Sequence, residues 1–195
     1  MRIVIATGNP GKAAEIAAVL STVDDLELVP RPDDLPEPGE DGATLLDNAR
    51  IKARAVMAAT GEAAVADDTG LEVAALGGAP GLYTARYAGP DATFEDNIER
   101  LLSELEGVAD RRARWRTVAL VTLPGGGEIV GEGTCDGTIT EAPRGDRGFG
   151  YDPVFVPDGG YVCTFAELAP EEKNAVSHRG RAFRQLAARL KSGPG

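Results

Sequence analysis

The opening twenty residues constrain the fold most. Arg2-Ile3-Val4-Ile5-Ala6 is a short apolar run with the character of a buried strand. Thr7-Gly8-Asn9-Pro10-Gly11-Lys12 follows at once, and then Ile16, Val19 and Leu20 recur at helical spacing. Asn9 is a good helix N-cap and Pro10 suits the first helical position, so the turn should lead straight into a helix. A strand, a tight turn and a helix in that order point to layered α/β architecture.

The rest of the chain extends this pattern. Residues 26–29 read as a second strand, and the Pro-, Asp-, Glu- and Gly-rich stretch 30–42 as a loop. Residues 43–60 carry Leu45, Leu46, Ala49, Ala53, Val56 and Met57 on one helical face. A strand is expected over 63–67, ending in Asp67-Asp68, with a bend at Thr69-Gly70 as one reading and a further short strand over 71–76. Residues 93–105 predict a helix, and 118–123 with 128–140 predict a strand pair joined through Pro124-Gly125-Gly126-Gly127. A short strand over 154–156 and a last helix over 177–191 follow, and Ser192-Gly193-Pro194-Gly195 should fray. With no repeat and no long linker, the 195 residues are expected to form one domain, a mixed α/β fold with a long central sheet.

Charge and cysteine content exclude several function classes. The net charge of −11 disfavours long nucleic acid, whose binding requires many phosphates to be neutralised. The one basic run, Arg111-Arg112-Ala113-Arg114-Trp115-Arg116, reads as a solvated loop entering a strand. No run approaches the roughly 18 apolar residues of a membrane helix. The N-terminus has no long apolar stretch or small-residue cleavage site, so a cytoplasmic location is expected. Cys135 and Cys163 lie far apart with no metal-binding spacing, so two free thiols are expected.

Four clusters carry chemistry. The turn at residues 7–12 combines a helix N-terminus, glycines that permit close approach, and Lys12; it fits either a structural cap or a phosphate site. It is not a Walker A loop, because Ala6 and Ala13 stand where that motif needs Gly and Ser or Thr. Asp67 and Asp68 could place one carboxylate to bind Mg²⁺ or to activate water, with Glu40 sharing the metal. Gly148-Phe149-Gly150-Tyr151-Asp152-Pro153 offers a flat ring for stacking and a carboxylate for purine N–H groups. Ser177-His178-Arg179-Gly180 puts two basic groups in the first turn of a helix, against its dipole, which a nearby anion would relieve.

Taken together and in order, these segments closely resemble the inosine/xanthosine triphosphate pyrophosphatase family. The resemblance rests on Thr7-Gly8-Asn9-Pro10-Gly11-Lys12, Asp67-Asp68-Thr69-Gly70-Leu71, Gly77-Gly78-Ala79-Pro80-Gly81, Thr84-Ala85-Arg86-Tyr87, Phe149-Gly150-Tyr151-Asp152-Pro153 and Ser177-His178-Arg179-Gly180, and it spans nearly the whole chain. It implies an elongated α/β fold of two lobes with the active site in a cleft between them, usually as a homodimer. It implies Mg²⁺-dependent hydrolysis of deaminated purine nucleoside triphosphates to monophosphate and pyrophosphate. Carried over by position, Thr7, Gly8, Asn9, Pro10, Gly11 and Lys12 would hold the triphosphate, with Lys52 adding charge. Asp68 would act as general base and metal ligand, with Glu40 as a second ligand. Thr69 and Lys173 would touch the nucleotide, Phe149 would stack on the base, Gly150 and Tyr151 would be further substrate-binding residues, and Asp152, His178 and Arg179 would read the base edge. The family commonly has Ser where this chain has Thr69, and both carry a hydroxyl.

Three rivals are set aside on residues. A pyrimidine-directed pyrophosphatase would need a smaller pocket, against Ser177-His178-Arg179; a nucleotide sensor without turnover has no need of Asp68 and Glu40; a nucleic-acid module conflicts with the charge.

Overall fold

The computed structural model describes residues 1–192. In chain order the elements are β1 (Arg2–Ile5), α1 (Pro10–Leu20), β2 (Glu27–Val29), α2 (Leu45–Thr60), β3 (Ala63–Val73), β4 (Pro80–Gly81), α3 (Phe94–Glu104), β5 (Arg112–Thr122), β6 (Glu128–Ile139), β7 (Phe155–Pro157), α4 (Pro170–Val176) and α5 (His178–Ser192). The strand order is β2-β1-β3-β5-β6-β7, with β4 beside β3. β1 runs parallel to β2 and β3, whereas β4 and β7 pair antiparallel. The sheet is therefore mixed, and the expected α/β class holds.

The chain forms two compact units. One comprises Met1–Asp68, Thr117–Gly133 and His178 onward; the other comprises Thr69–Arg116 and Thr134–Ser177. β3, β5 and β6 contribute residues to both.

In the first unit the sheet is covered on both faces, which the alternation of β3 dictates. Ala63 and Val65 pack with Ile3 and Ile5 against Ile16 and Leu20 of α1 and Phe183 and Leu186 of α5. Ala64 and Ala66 point the other way, to Ala49, Ala53 and Val56 of α2. Each large side chain fully buried here stabilises by about 1.5–3 kcal/mol. α2 is capped by Thr44, whose side chain accepts from Asp47 N, and ends at Gly61 in the left-handed conformation. In the second unit Trp115, Tyr151, Phe155 and Phe165 form an aromatic core with Leu71, Leu101 and Leu105.

Two local expectations are corrected, and one helix is added. The segment 63–76 is not two strands broken at Thr69-Gly70; β3 runs unbroken from Ala63 to Val73 for 11 residues, and Ala74–Leu76 turn into a short 3-10 helix. Gly70 serves close approach rather than a bend, since a Cβ there would lie 2.9 Å from the carbonyl oxygen of Gly81 in β4. The basic run is strand rather than loop from Arg112 onward, with Arg112, Arg114 and Arg116 exposed and Ala113, Trp115 and Thr117 buried in strict alternation. A seven-residue helix, α4, precedes the last helix. Pro170 opens it, and the Glu172 carboxylate accepts from Ala169 N at 2.9 Å. The expected fraying of the tail lies, from residue 193 onward, outside the described residues.

Candidate active site

The first unit gathers a dense set of charges at the end of its part of β3. Asp67 and Asp68 are both buried, with residue exposures of 2% and 6%. Period-two alternation sends them to opposite faces. Asp67 follows Ala63 and Val65 toward α1 and α5. Its Oδ2 accepts from Arg179 Nε at 3.1 Å and lies 3.9 Å from Lys12 Nζ. Asp68 follows Ala64 and Ala66 toward α2. Its Oδ1 accepts from Lys52 Nζ at 2.8 Å and its Oδ2 from Asn48 Nδ2 at 3.1 Å.

α2 supplies that second face because Asn48 and Lys52 are one helical turn apart, within an otherwise apolar stripe of Ala49, Ala53 and Val56. Asn48 also accepts from Gly42 N at 2.8 Å, which ties the loop before α2 to the helix. That loop carries Glu40, whose Oε1 accepts from Lys52 Nζ at 3.0 Å. Two carboxylates thus converge on one ammonium.

The charges set one another's protonation. Burial alone would raise the Asp67 carboxyl, but Lys12, Arg179 and Lys52 outweigh it and hold it well below the usual carboxylate range. Burial lowers Lys12; Asp67 pulls it back, Lys52 and Arg179 push it further down, and it ends below the ordinary lysine value. Burial also opposes the charge on Lys52, but Asp68, Asp67 and Glu40 together raise it above that value. The Arg179 guanidinium, desolvated but paired with Asp67 and Glu15, is raised further still.

α1 begins as its sequence requires. Asn9 caps it, its side chain accepting from Lys12 N at 3.0 Å, and Pro10 stands in the first turn. Thr7 Oγ1 accepts from Asn9 N at 3.2 Å, which sets the approach of the chain. No acidic residue occupies the first turn, in contrast to α2 with Asp47 and α3 with Glu95 and Asp96. The positive end of the α1 dipole is thus reinforced by Lys12 and suits an anion.

α5 starts in the same unit. His178 and Arg179 are both buried in its first turn. The anion expected to relieve their conflict with the dipole is internal: Arg179 donates through Nη1 to Glu15 at 2.6 Å and through Nε to Asp67.

The second unit holds the aromatic segment. Asp152 Oδ2 accepts from Phe149 N at 2.8 Å and from Lys173 Nζ at 2.5 Å. The Lys173 ammonium lies 4.7 Å from the Phe149 ring centroid, a cation–π contact. Phe149 is half-buried and also meets Phe94 at 6.3 Å between centroids. Gly148 sits at φ +75°, and a Cβ there would collide with Asp152 Oδ2. Tyr151 is buried, its hydroxyl donating to Thr84 O at 3.0 Å and its ring edge-on to Trp115. Thr69 is half-buried in β3, and Gly150 adopts φ +61°.

The structure therefore groups Thr7 to Lys12, Glu40, Lys52, Asp68, His178 and Arg179 within one unit, and Thr69, Phe149 to Asp152 and Lys173 within the other. Two residues escaped the sequence reading. Asn48 could have been found as a polar residue inside the apolar stripe of α2. Glu15, distant in sequence from Arg179, left no local signal.

Glu40 and Asp68 offer hard carboxylate oxygens, the donor type Mg²⁺ takes. Among the described residues no group of three or more His, Cys, Asp or Glu could hold a metal ion by itself. The pair suits a cation that completes its shell with water and substrate phosphate, the common habit of Mg²⁺.

A mixed α/β sheet that brings a helix N-terminus, Lys12 and two buried, cation-paired carboxylates into one unit defines a class of fold and site suited to an anionic ligand. The particular family follows from likeness along the whole chain: the Ham1 family model matches residues 3–189, and the chain belongs to that family. It is 51% identical over 195 residues to a dITP/XTP pyrophosphatase of Rhodospirillum centenum, covering 96% of this chain and 93% of that one. A solved HAM1 protein from Coxiella burnetii matches with TM-score 0.88 and 39% identity over 99% of this chain and 100% of the other. A nucleoside-triphosphatase / dITP/XTP pyrophosphatase structure from Mycobacterium abscessus matches with TM-score 0.71 and 46% identity over 93% and 95%.

Proposed function

We infer that the chain is a nucleoside-triphosphate pyrophosphatase that hydrolyses deaminated purine nucleotides, ITP, dITP and XTP, to monophosphate and pyrophosphate, clearing them before they enter DNA or RNA. Family membership and the named relatives support this reading. The observation that carries it is Asp68, a buried carboxylate held by Lys52 and Asn48 beside Glu40.

In this reading Asp68 accepts the proton of a water that attacks the α-phosphorus. The bond from that phosphorus to the bridging oxygen breaks, and pyrophosphate departs. Thr7, Gly8, Asn9, Pro10, Gly11 and Lys12 cradle the triphosphate, and Lys12 with the α1 N-terminus stabilises charge gathering on the leaving group. Lys52 orients Asp68 through its hydrogen bond to Oδ1. Glu40 and Asp68 would hold Mg²⁺, which when bound neutralises phosphate charge.

Phe149, flanked by Gly150 and Tyr151, offers its ring to the base; Asp152 and Lys173 form the adjoining polar clamp, and Thr69 touches the nucleotide. His178 and Arg179 read the base edge, Arg179 being fixed by Asp67 and Glu15. A donor aimed at the 6-oxo group accepts hypoxanthine or xanthine. Adenine would set its amino group against that donor and leave both unsatisfied. Guanine shares the 6-oxo group, so its exclusion acts at the 2-amino group. The same reading takes the chain as one functional domain, a homodimer, located in the cytoplasm, with no nucleic-acid polymer as partner.

Hydrolysis in ¹⁸O-water tests the mechanism. Label appearing in the monophosphate supports attack at the α-phosphorus. Label in pyrophosphate, or release of orthophosphate, overturns it.

A further inference from the structure

A second carboxylate lies at the phosphate turn itself. A Cβ built on Gly8 would stand 2.3 Å from Oε1 of Glu37, so this carboxylate rests directly against the turn backbone. Glu37 belongs to the loop before α2, and its side chain is 61% exposed. The same Oε1 lies 3.6 Å from Arg31 Nη1.

Arg31 is unlike Glu37. Its side chain is only 10% exposed, and its Nη2 donates to Leu35 O at 2.6 Å. Its Nε is fully buried with no hydrogen-bond partner among the described residues. A buried guanidinium N–H without a partner is costly and calls for an acceptor. The Glu37 oxygen that lies 3.6 Å from the Arg31 Nη1 also touches Gly8.

We propose that Arg31 is a further ligand for substrate phosphate, masked by Glu37 until a phosphate displaces that carboxylate. The proposal rests on the functional reading above and deepens it. Glu37 stands in for the anion at the turn. A phosphate group, carrying more charge and more acceptor oxygens, outcompetes a single carboxylate for the α1 N-terminus and Lys12. The largely exposed Glu37 side chain swings outward at little cost. Arg31 then meets an oxyanion able to satisfy more of its donors than Glu37 does, in the planar geometry that suits guanidinium and phosphate.

Calorimetric titration of the full chain with inorganic pyrophosphate alone, at fixed ionic strength, tests this. Wild type should bind, and Lys12→Ala should weaken binding. Glu37→Gln should tighten binding severalfold, because a competing charge is gone. Arg31→Met should weaken it by about 10-fold or more, the range for a hydrogen bond to a charged group. Arg31→Lys should fall between, which separates loss of charge from collapse of the loop, and melting temperatures check that each variant is folded. If Lys12→Ala weakens binding while Glu37→Gln and Arg31→Met both stay within about twofold of wild type, this inference is overturned and the functional reading survives. If wild type binds no pyrophosphate, or Lys12→Ala has no effect, the phosphate reading of the turn fails and takes this inference with it.

Discussion

Asp67 and Asp68 are consecutive in one strand yet answer to different cations: Asp67 to Arg179 and Lys12, Asp68 to Lys52. Alternation along β3 separates two carboxylates that sequence alone presents as a pair. One is locked among buried charges on the α1/α5 face, and the other is held on the α2 face with Glu40 nearby. Their substitutions should therefore have different consequences.

Asp68→Asn should lower kcat by about 10²–10⁴-fold, the usual contribution of a general base. The fold should persist, because the amide oxygen can still accept from Asn48 and Lys52 keeps Glu40. Steady-state kinetics with a circular dichroism melt checks both halves. Turnover near the wild-type level removes Asp68 from the mechanism.

Arg179→Met should act first on stability. It strips the guanidinium from Asp67 and Glu15, leaving the buried Asp67 and the half-buried Glu15 short of counter-charge. Breaking such a pair costs about 3–5 kcal/mol, or about 6–20 °C in Tm for a chain of this size. A melting scan that shows no change would mean Arg179 holds nothing together.

Lys12 should set the alkaline limb of kcat/KM. Its folded pKa lies below 10.5, from burial, Lys52 and Arg179 against the pull of Asp67. A lowered lysine pKa means its charge opposes folding. That penalty is complete below the folded pKa and fades as pH rises toward 10.5. Activity has the opposite sign, since the charged form binds phosphate. The kcat/KM profile should fall at a pH below 10.5, and the limb of kcat should lie higher because bound triphosphate favours the ammonium. Lys12→Arg should move the kcat/KM limb upward; an unmoved limb assigns it to another group.

Chelation should stop pyrophosphate release and added Mg²⁺ should restore it, while the melting temperature changes little. Glu40 and Asp68 are already satisfied by Lys52, so the fold does not depend on the ion. A large drop in Tm on chelation would instead mark a structural metal.

The sequence disclosed most of what is local. The strand–turn–helix at residues 2–20 was legible because Asn9 and Pro10 state a helix start in chemical terms. Lys12 was legible as a candidate on the same grounds, whereas the choice of Asp68 over Asp67 came only from the family resemblance. Gly70 misled, because a glycine that admits β4 looks the same in sequence as one that makes a bend. Arg112, Arg114 and Arg116 misled because an exposed strand face and a charged loop share a composition, and only the interleaved Ala113 and Trp115 tell them apart. Glu15 was beyond reach: its role comes from α1 meeting α5, a contact that no local pattern encodes.

The most direct test of the central claim is pyrophosphate release with Mg²⁺ from ITP, XTP, ATP and GTP in parallel. Strong release from ITP and XTP and far weaker release from ATP and GTP is the expected result. Equal release from all four, or none from ITP and XTP, would contradict it.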